Sequence, residues 1–209
     1  MTGVPEFDAF ESAARSLADL VERIDDDEWD GPGLGDWDLR SLVGHASRAV
    51  STLTAYVDQP ADHEDASSPA DYFATVARRS QATESSLVSE AVTQRGRDAG
   101  AALGEHPAAA VADLVDKALD RLRDQDDVLL STPVGGMLLS SYLPTRTFEL
   151  AVHSLDIAAA IGVVLDLDPV VLADSLAIAA ETAARTVHGV PVLLALTGRA
   201  PLPEGVSVV

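Results

Sequence analysis

Glu149 and His153 lie four residues apart in the segment Arg146-Thr147-Phe148-Glu149-Leu150-Ala151-Val152-His153-Ser154-Leu155-Asp156. On a helix that spacing points both side chains the same way. His45 ends a second segment, Gly35-Asp36-Trp37-Asp38-Leu39-Arg40-Ser41-Leu42-Val43-Gly44-His45. Two imidazoles and one carboxylate are the ligand set of an open, catalytic divalent-metal site. The chain has no cysteine, so it offers no thiolate ligand, sulfur nucleophile or disulfide of its own. If such a metal works on a thiol, the thiol arrives as a small molecule.

Each of these residues also has a plainer reading. A Glu-x-x-x-His pair on a solvated helix face is common without a metal. His45 reads equally well as a core histidine bonded to a carbonyl. Arg146 either holds a carboxylate-bearing ligand near the metal or neutralises Glu149. Asp156 either orients His153 or His45 as an acceptor or pairs with an arginine. Arg146 and Asp156 are thus the candidate catalytic residues, with Arg146 also the candidate for holding a cosubstrate. His63, His106 and His188 have structural readings: an acidic loop, a helix start and a last helical turn.

Helices must position these groups. Phe7, Phe10, Ala14, Leu17, Val21 and Ile24 make one apolar stripe, which predicts a helix over about 5–26. Asp38 is the expected N-cap of a second helix, about 39–58, with Leu42, His45, Ala49, Thr52 and Tyr56 inward. Residues 58–68 read as an exposed loop. A third helix is expected from about 70 to 93, carrying Phe73, Val76, Ser80, Thr83 and Leu87, with the Gly-rich segment 95–104 breaking it. A fourth runs over about 107–124. Residues 128–143 read as irregular chain or a short hairpin. Pro144 opens a fifth helix to about Ile161, and Pro169 a sixth to about His188, stopped by Gly189 and Pro191. Residues 191–209 read as a tail or short strand.

In the fifth helix, Phe148, Val152, Leu155 and Ala159 form an apolar stripe beside the polar one. Ala151, Ala158 and Ala160 make the rest apolar too, the signature of a buried helix. A buried Glu149 then needs a partner, and metal sites in bundles are built from facing helices. The expected fold is all-α: an antiparallel four-helix bundle with one or two additional helices and a short irregular tail. The expected organisation is one bundle over 1–188 and a C-terminal tail over 189–209.

Composition excludes several functions. The formal net charge is −20, from 34 acids against 14 bases. Such a surface repels nucleic acid and anionic membranes. No uncharged apolar run reaches the roughly 18 residues of a membrane span, and residues 1–30 show no signal-peptide pattern. The expected location is the cytoplasm. Lys117 is the only lysine; arginine and alanine abundance points to a GC-rich genome.

The segment from Trp29 to His45, the segment Arg146–Gly162 and Leu193-Leu194-Ala195-Leu196-Thr197-Gly198-Arg199 resemble the mycothiol-dependent maleylpyruvate isomerase family of the DinB-like metalloprotein superfamily. The resemblance implies a DinB-like four-helix bundle. It implies a divalent metal, usually zinc, on His45, Glu149 and His153. It implies the actinobacterial thiol mycothiol as cosubstrate. The isomerases that define the family carry a second, C-terminal domain, whereas here little more than a helix and a short tail follows residue 162. That difference argues against maleylpyruvate itself as the substrate.

Three functions remain open at this point. One is a metal-dependent mycothiol transferase or isomerase acting on a small electrophile. A second is a non-catalytic metal-binding or ligand-sensing module. The third is a plain bundle whose polar stripe is a buried ion-pair network, at a homodimer interface for example.

Overall fold

The computed structural model describes residues 4–82 and 85–207, with the backbone alone for residues 80–82 and 85–89. Its helices are α1 (Phe7–Val21), α2 (Leu39–Tyr56), α3 (Pro69–Ala82), α4 (Ser85–Ala102), α5 (Pro107–Leu122), α6 (Leu139–Ala160), α7 (Pro169–Ala184) and α8 (Gly189–Leu196). One hairpin, β1 (Leu129–Thr132) and β2 (Gly135–Leu138), stands between α5 and α6. The fold is the expected all-α DinB-like bundle with extra helices.

α1, α2, α5 and α6 enclose the centre, where Phe10, Leu17, Leu42, Leu53, Leu119 and Leu150 are fully buried. Few aromatics are available, so the core is built from Leu, Val and Ala on the faces that the three-and-four spacing marks. α4 packs along the outside of α2, while α3 and α7 lie against α6 and each other. α8 packs on α7 and buries none of its residues. No helix among the described residues is long and apolar enough to cross a membrane.

Several expected boundaries move. α1 ends at Val21 rather than 26, and the chain turns so that Ile24 re-enters the core. The expected third helix is two elements, α3 and α4; Thr83 lies outside the described residues. The expected break at 95–104 is helical as far as Ala102. Gly96 and Gly100 are there for contact, because α2 packs closely on α4, while Gly104, at φ 71°, lies just past the helix end. A Cβ on Gly100 would stand 2.6 Å from the Arg40 carbonyl oxygen, and one on Gly44 would overlap the Gly100 backbone. Gly96 leaves room for the Trp37 ring. α6 begins at Leu139, so Pro144 lies in its second turn instead of opening it. Burial of Leu139, Tyr142 and Leu143 offsets the lost backbone bond.

The expected sixth helix also divides. α7 stops at Ala184, and residues 189–196 form a helix where a tail or short strand was expected. Pro191 occupies the first turn of α8, where a missing N–H costs nothing. His188 is the residue preceding α8 and not part of the last turn of α7.

The glycine contact gives a stability prediction. Gly44→Ala should force α2 and α4 apart and destabilise the protein by about 2 to 3 kcal/mol. Urea unfolding followed by circular dichroism measures this, and an unchanged midpoint would contradict the close approach.

Candidate metal centre

α2 starts where the Asp38 side chain accepts a hydrogen bond from the Ser41 N–H at 2.7 Å. That cap fixes the phase of the helix, and His45, Arg48, Thr52 and Tyr56 then share a flank. On α6, Tyr142, Arg146, Glu149 and His153 recur at steps of four, three and four. The two rows face each other antiparallel. His45 meets His153 with ring centroids 4.8 Å apart, and eleven residues along, Tyr56 meets Tyr142 at 6.0 Å.

At one end of this double row the ligand atoms of His45, Glu149 and His153 all lie within 4.8 Å of one another. His153 Nε2 is 3.2 Å from Glu149 Oε2, and its Nδ1 is 3.1 Å from Asp156 Oδ2. Asp156 therefore reaches His153, not His45 and not an arginine. Trp37 packs its ring on His45 at 4.6 Å and donates its indole N–H to the Thr93 carbonyl on α4. His45 Nδ1 is buried without a hydrogen-bond partner among the described residues.

Electrostatics differ for the two imidazoles. Burial, and then the charge on His153, pushes the His45 pKa down to about 4. It is neutral at pH 7, with a lone pair free. Burial also opposes charge on His153, but hydrogen bonds to Asp156 and Glu149, and their charges, outweigh it and raise its pKa to about 9. Burial acts to raise the Glu149 pKa; the bond from His153 and the charges of Arg146 and the histidines hold it below its ordinary value instead. Without a metal, a protonated His153 bridges two carboxylates.

These residues fit a divalent cation. The donor set is borderline-soft nitrogen and carboxylate oxygen. Asp156 accepts from Nδ1 and so directs the other ring nitrogen of His153 toward Glu149, the arrangement that orients metal-bound histidines. His45 offers a buried, unpartnered nitrogen from the facing helix.

Beside the cluster opens a cavity of about 470 Å³, lined by both rows and by Tyr72, Val76, Arg95 and Pro133. Arg146 lies on its wall, 8% exposed, between the rings of Tyr72 and Tyr142. Its Nη2 stands 3.8 Å from Glu149 Oε1, an ion-pair distance, and makes no hydrogen bond among the described residues. His63 pairs with Asp65 on the surface, and His106 precedes α5; neither joins the site.

The sequence reading brought together His45, Arg146, Glu149, His153 and Asp156, and missed Arg48, Tyr72, Arg95 and Tyr142. Arg48 was within reach, three residues after His45. Tyr142 lay beyond the assumed helix start at Pro144, and Arg95 inside the assumed break.

A family model described as the mycothiol maleylpyruvate isomerase N-terminal domain matches residues 10–158. The match contains all five of these residues. No match to a curated protein or to a solved structure was found.

Proposed function

The chain belongs to the mycothiol maleylpyruvate isomerase N-terminal domain family, and from that premise we propose that it is a metal-dependent thiol enzyme. It would join the sulfur of mycothiol to an electrophilic carbon of a small substrate, as a transferase that releases the conjugate or as an isomerase that expels the thiol after bond rotation. The observation that carries this reading is the meeting of His45, Glu149 and His153 at the wall of a cavity of about 470 Å³.

His45, Glu149 and His153 would hold the cation, for which zinc is the proposed identity. When bound there, it would stabilise the deprotonated sulfur of a thiol at neutral pH. Asp156 keeps the Nδ1 proton of His153 engaged, fixing the tautomer and ring plane. Trp37 holds the His45 ring from the other side. Tyr72 and Tyr142 keep the Arg146 guanidinium in place.

The test is conjugation by metal-loaded protein of mycothiol to a panel of soft electrophiles near pH 7, followed by mass spectrometry. The expected result is a rate above the uncatalysed one for at least one electrophile, lost on chelation. A background rate throughout, with stoichiometric metal bound, would leave a non-catalytic metal-binding or sensing module.

A further inference from the structure

The large apolar side chains that stay exposed are gathered on one face. Of the thirteen among the described residues, eight lie between Val170 and Leu196, on α7, α8 and the turn that joins them. α8 has no polar side chain and buries none of its residues. Together the eight present on the order of 800 Å² of apolar surface. That exceeds the roughly 300–600 Å² of the largest patch on a typical monomer, and is about what each partner of a standard interface buries.

The face is also nearly free of charge. The chain carries 34 acids and 14 bases, yet Asp174, Glu181 and Arg185 are the only acids and bases from Pro169 to Leu196, His188 apart. Glu181 and Arg185 pair with each other at 3.5 Å. At a net charge of −20, two copies repel over most of their surface, and here they can meet with least repulsion.

The shape of the face is complementary to itself. Leu172, Leu176, Ala180 and Ala184 recur at steps of four along α7, and all four are exposed. Two large residues are followed by two small ones. Beside the small pair lies a groove of about 500 Å³ between α7 and α8, lined also by Val187, Val190, Leu193 and Leu196. A two-fold axis passing between Leu176 and Ala180 would set α7 antiparallel to α7 of a second copy. Leu176 of each copy then meets Ala180 of the other, and Leu172 meets Ala184 at the groove. Rows at steps of four are the ridges that interdigitate in the commonest helix packing, and a two-fold contact requires a surface that fits itself.

We propose that this face docks a second copy of the chain, α7 against α7, as an antiparallel two-fold dimer. The proposal is independent of the metal and thiol reading, because α7 lines neither the ligand cluster nor its cavity.

Sedimentation velocity of the full chain over about 1 to 100 µM tests it. Wild type should sediment as two chains of 21.8 kDa each. Leu176→Ala empties the contact and Ala180→Leu overfills it. Each should weaken dimerisation at least about tenfold, with helicity by circular dichroism unchanged. The exchange Leu176→Ala/Ala180→Leu should restore it to within about threefold of wild type, because each new alanine then faces a new leucine. A monomer throughout overturns the second copy as the occupant and gives the face to a different partner. A dimer indifferent to both single changes overturns this surface. Weakening by both without recovery in the exchange overturns the antiparallel pairing.

Discussion

His153→Ala should leave the purified protein almost free of divalent metal, where wild type carries about one per chain. The substitution removes an imidazole whose Nδ1 lies 3.1 Å from the Asp156 carboxylate and whose Nε2 lies 3.2 Å from Glu149. Losing a partner hydrogen-bonded to a metal ligand costs roughly 10- to 100-fold in affinity, and losing the ligand itself costs more. Asp156→Asn should therefore fall between the two, keeping metal at high concentration and losing it on dialysis. His153 lies on the wall of the cavity, not in the apolar core, so helicity of the variant should stay at the wild-type level. Elemental analysis alongside circular dichroism reads both. Equal metal in wild type and His153→Ala would remove His153 from the site.

Metal affinity should fall about tenfold for each unit of pH lowered below about 9, a decline that begins well above the pH at which an ordinary histidine site starts to weaken. In the metal-free protein His153 titrates near pH 9, because its bonds to Asp156 and Glu149 outweigh burial. At pH 7 it carries a proton that a cation must displace, so binding releases about one proton. His45, with a pKa pushed down to about 4, adds no dependence above pH 5. From pH 7.5 to 5.5 the expected loss is thus on the order of 100-fold. The same shift sets a stability trend for metal-free protein. The folded pKa of His153 lies above its unfolded value, near 6.5, so its contribution is complete below about pH 6.5 and is lost as pH rises through 9. Calorimetric titration in buffers of different ionisation enthalpy measures the proton release. No release at pH 7, with metal bound stoichiometrically, would contradict the protonated His153.

The clustering of the candidate metal ligands was legible because their spacing is local. Glu149, His153 and Asp156 lie on one α6 face by helical geometry alone, and Asp38 marks the start of α2 and so the phase of His45. Their meeting across two helices followed from burial, since an otherwise apolar α6 leaves Glu149 in need of a partner. The contribution of Arg95 and Tyr142 to the cavity wall was not legible, for physical reasons. Gly96 and Gly100 look like helix breakers, yet here glycine is what lets two helix backbones touch, and the helix it permits carries Arg95 to the cavity. Pro144 looks like a first-turn residue, but burial of Leu139, Tyr142 and Leu143 extends α6 ahead of it and adds Tyr142 to the row. Pro191 misled in the opposite sense, opening α8 where it had suggested an end. Tertiary packing overrode local propensity at the glycines and at Pro144, whereas Pro191 sits in a first turn, where proline costs nothing.

The central claim is that His45, Glu149 and His153 hold a divalent cation with a position left open for the sulfur of a small thiol. Replacing the native metal with cobalt makes that position visible, because thiolate bound to cobalt absorbs in the near ultraviolet by charge transfer from sulfur. Titrating mycothiol into fully cobalt-loaded protein at pH 7 should produce this absorption with a stoichiometry of about one thiol per metal. The hydroxyl analogue of the thiol should produce none. Full cobalt loading with no new absorption at saturating mycothiol would contradict the account.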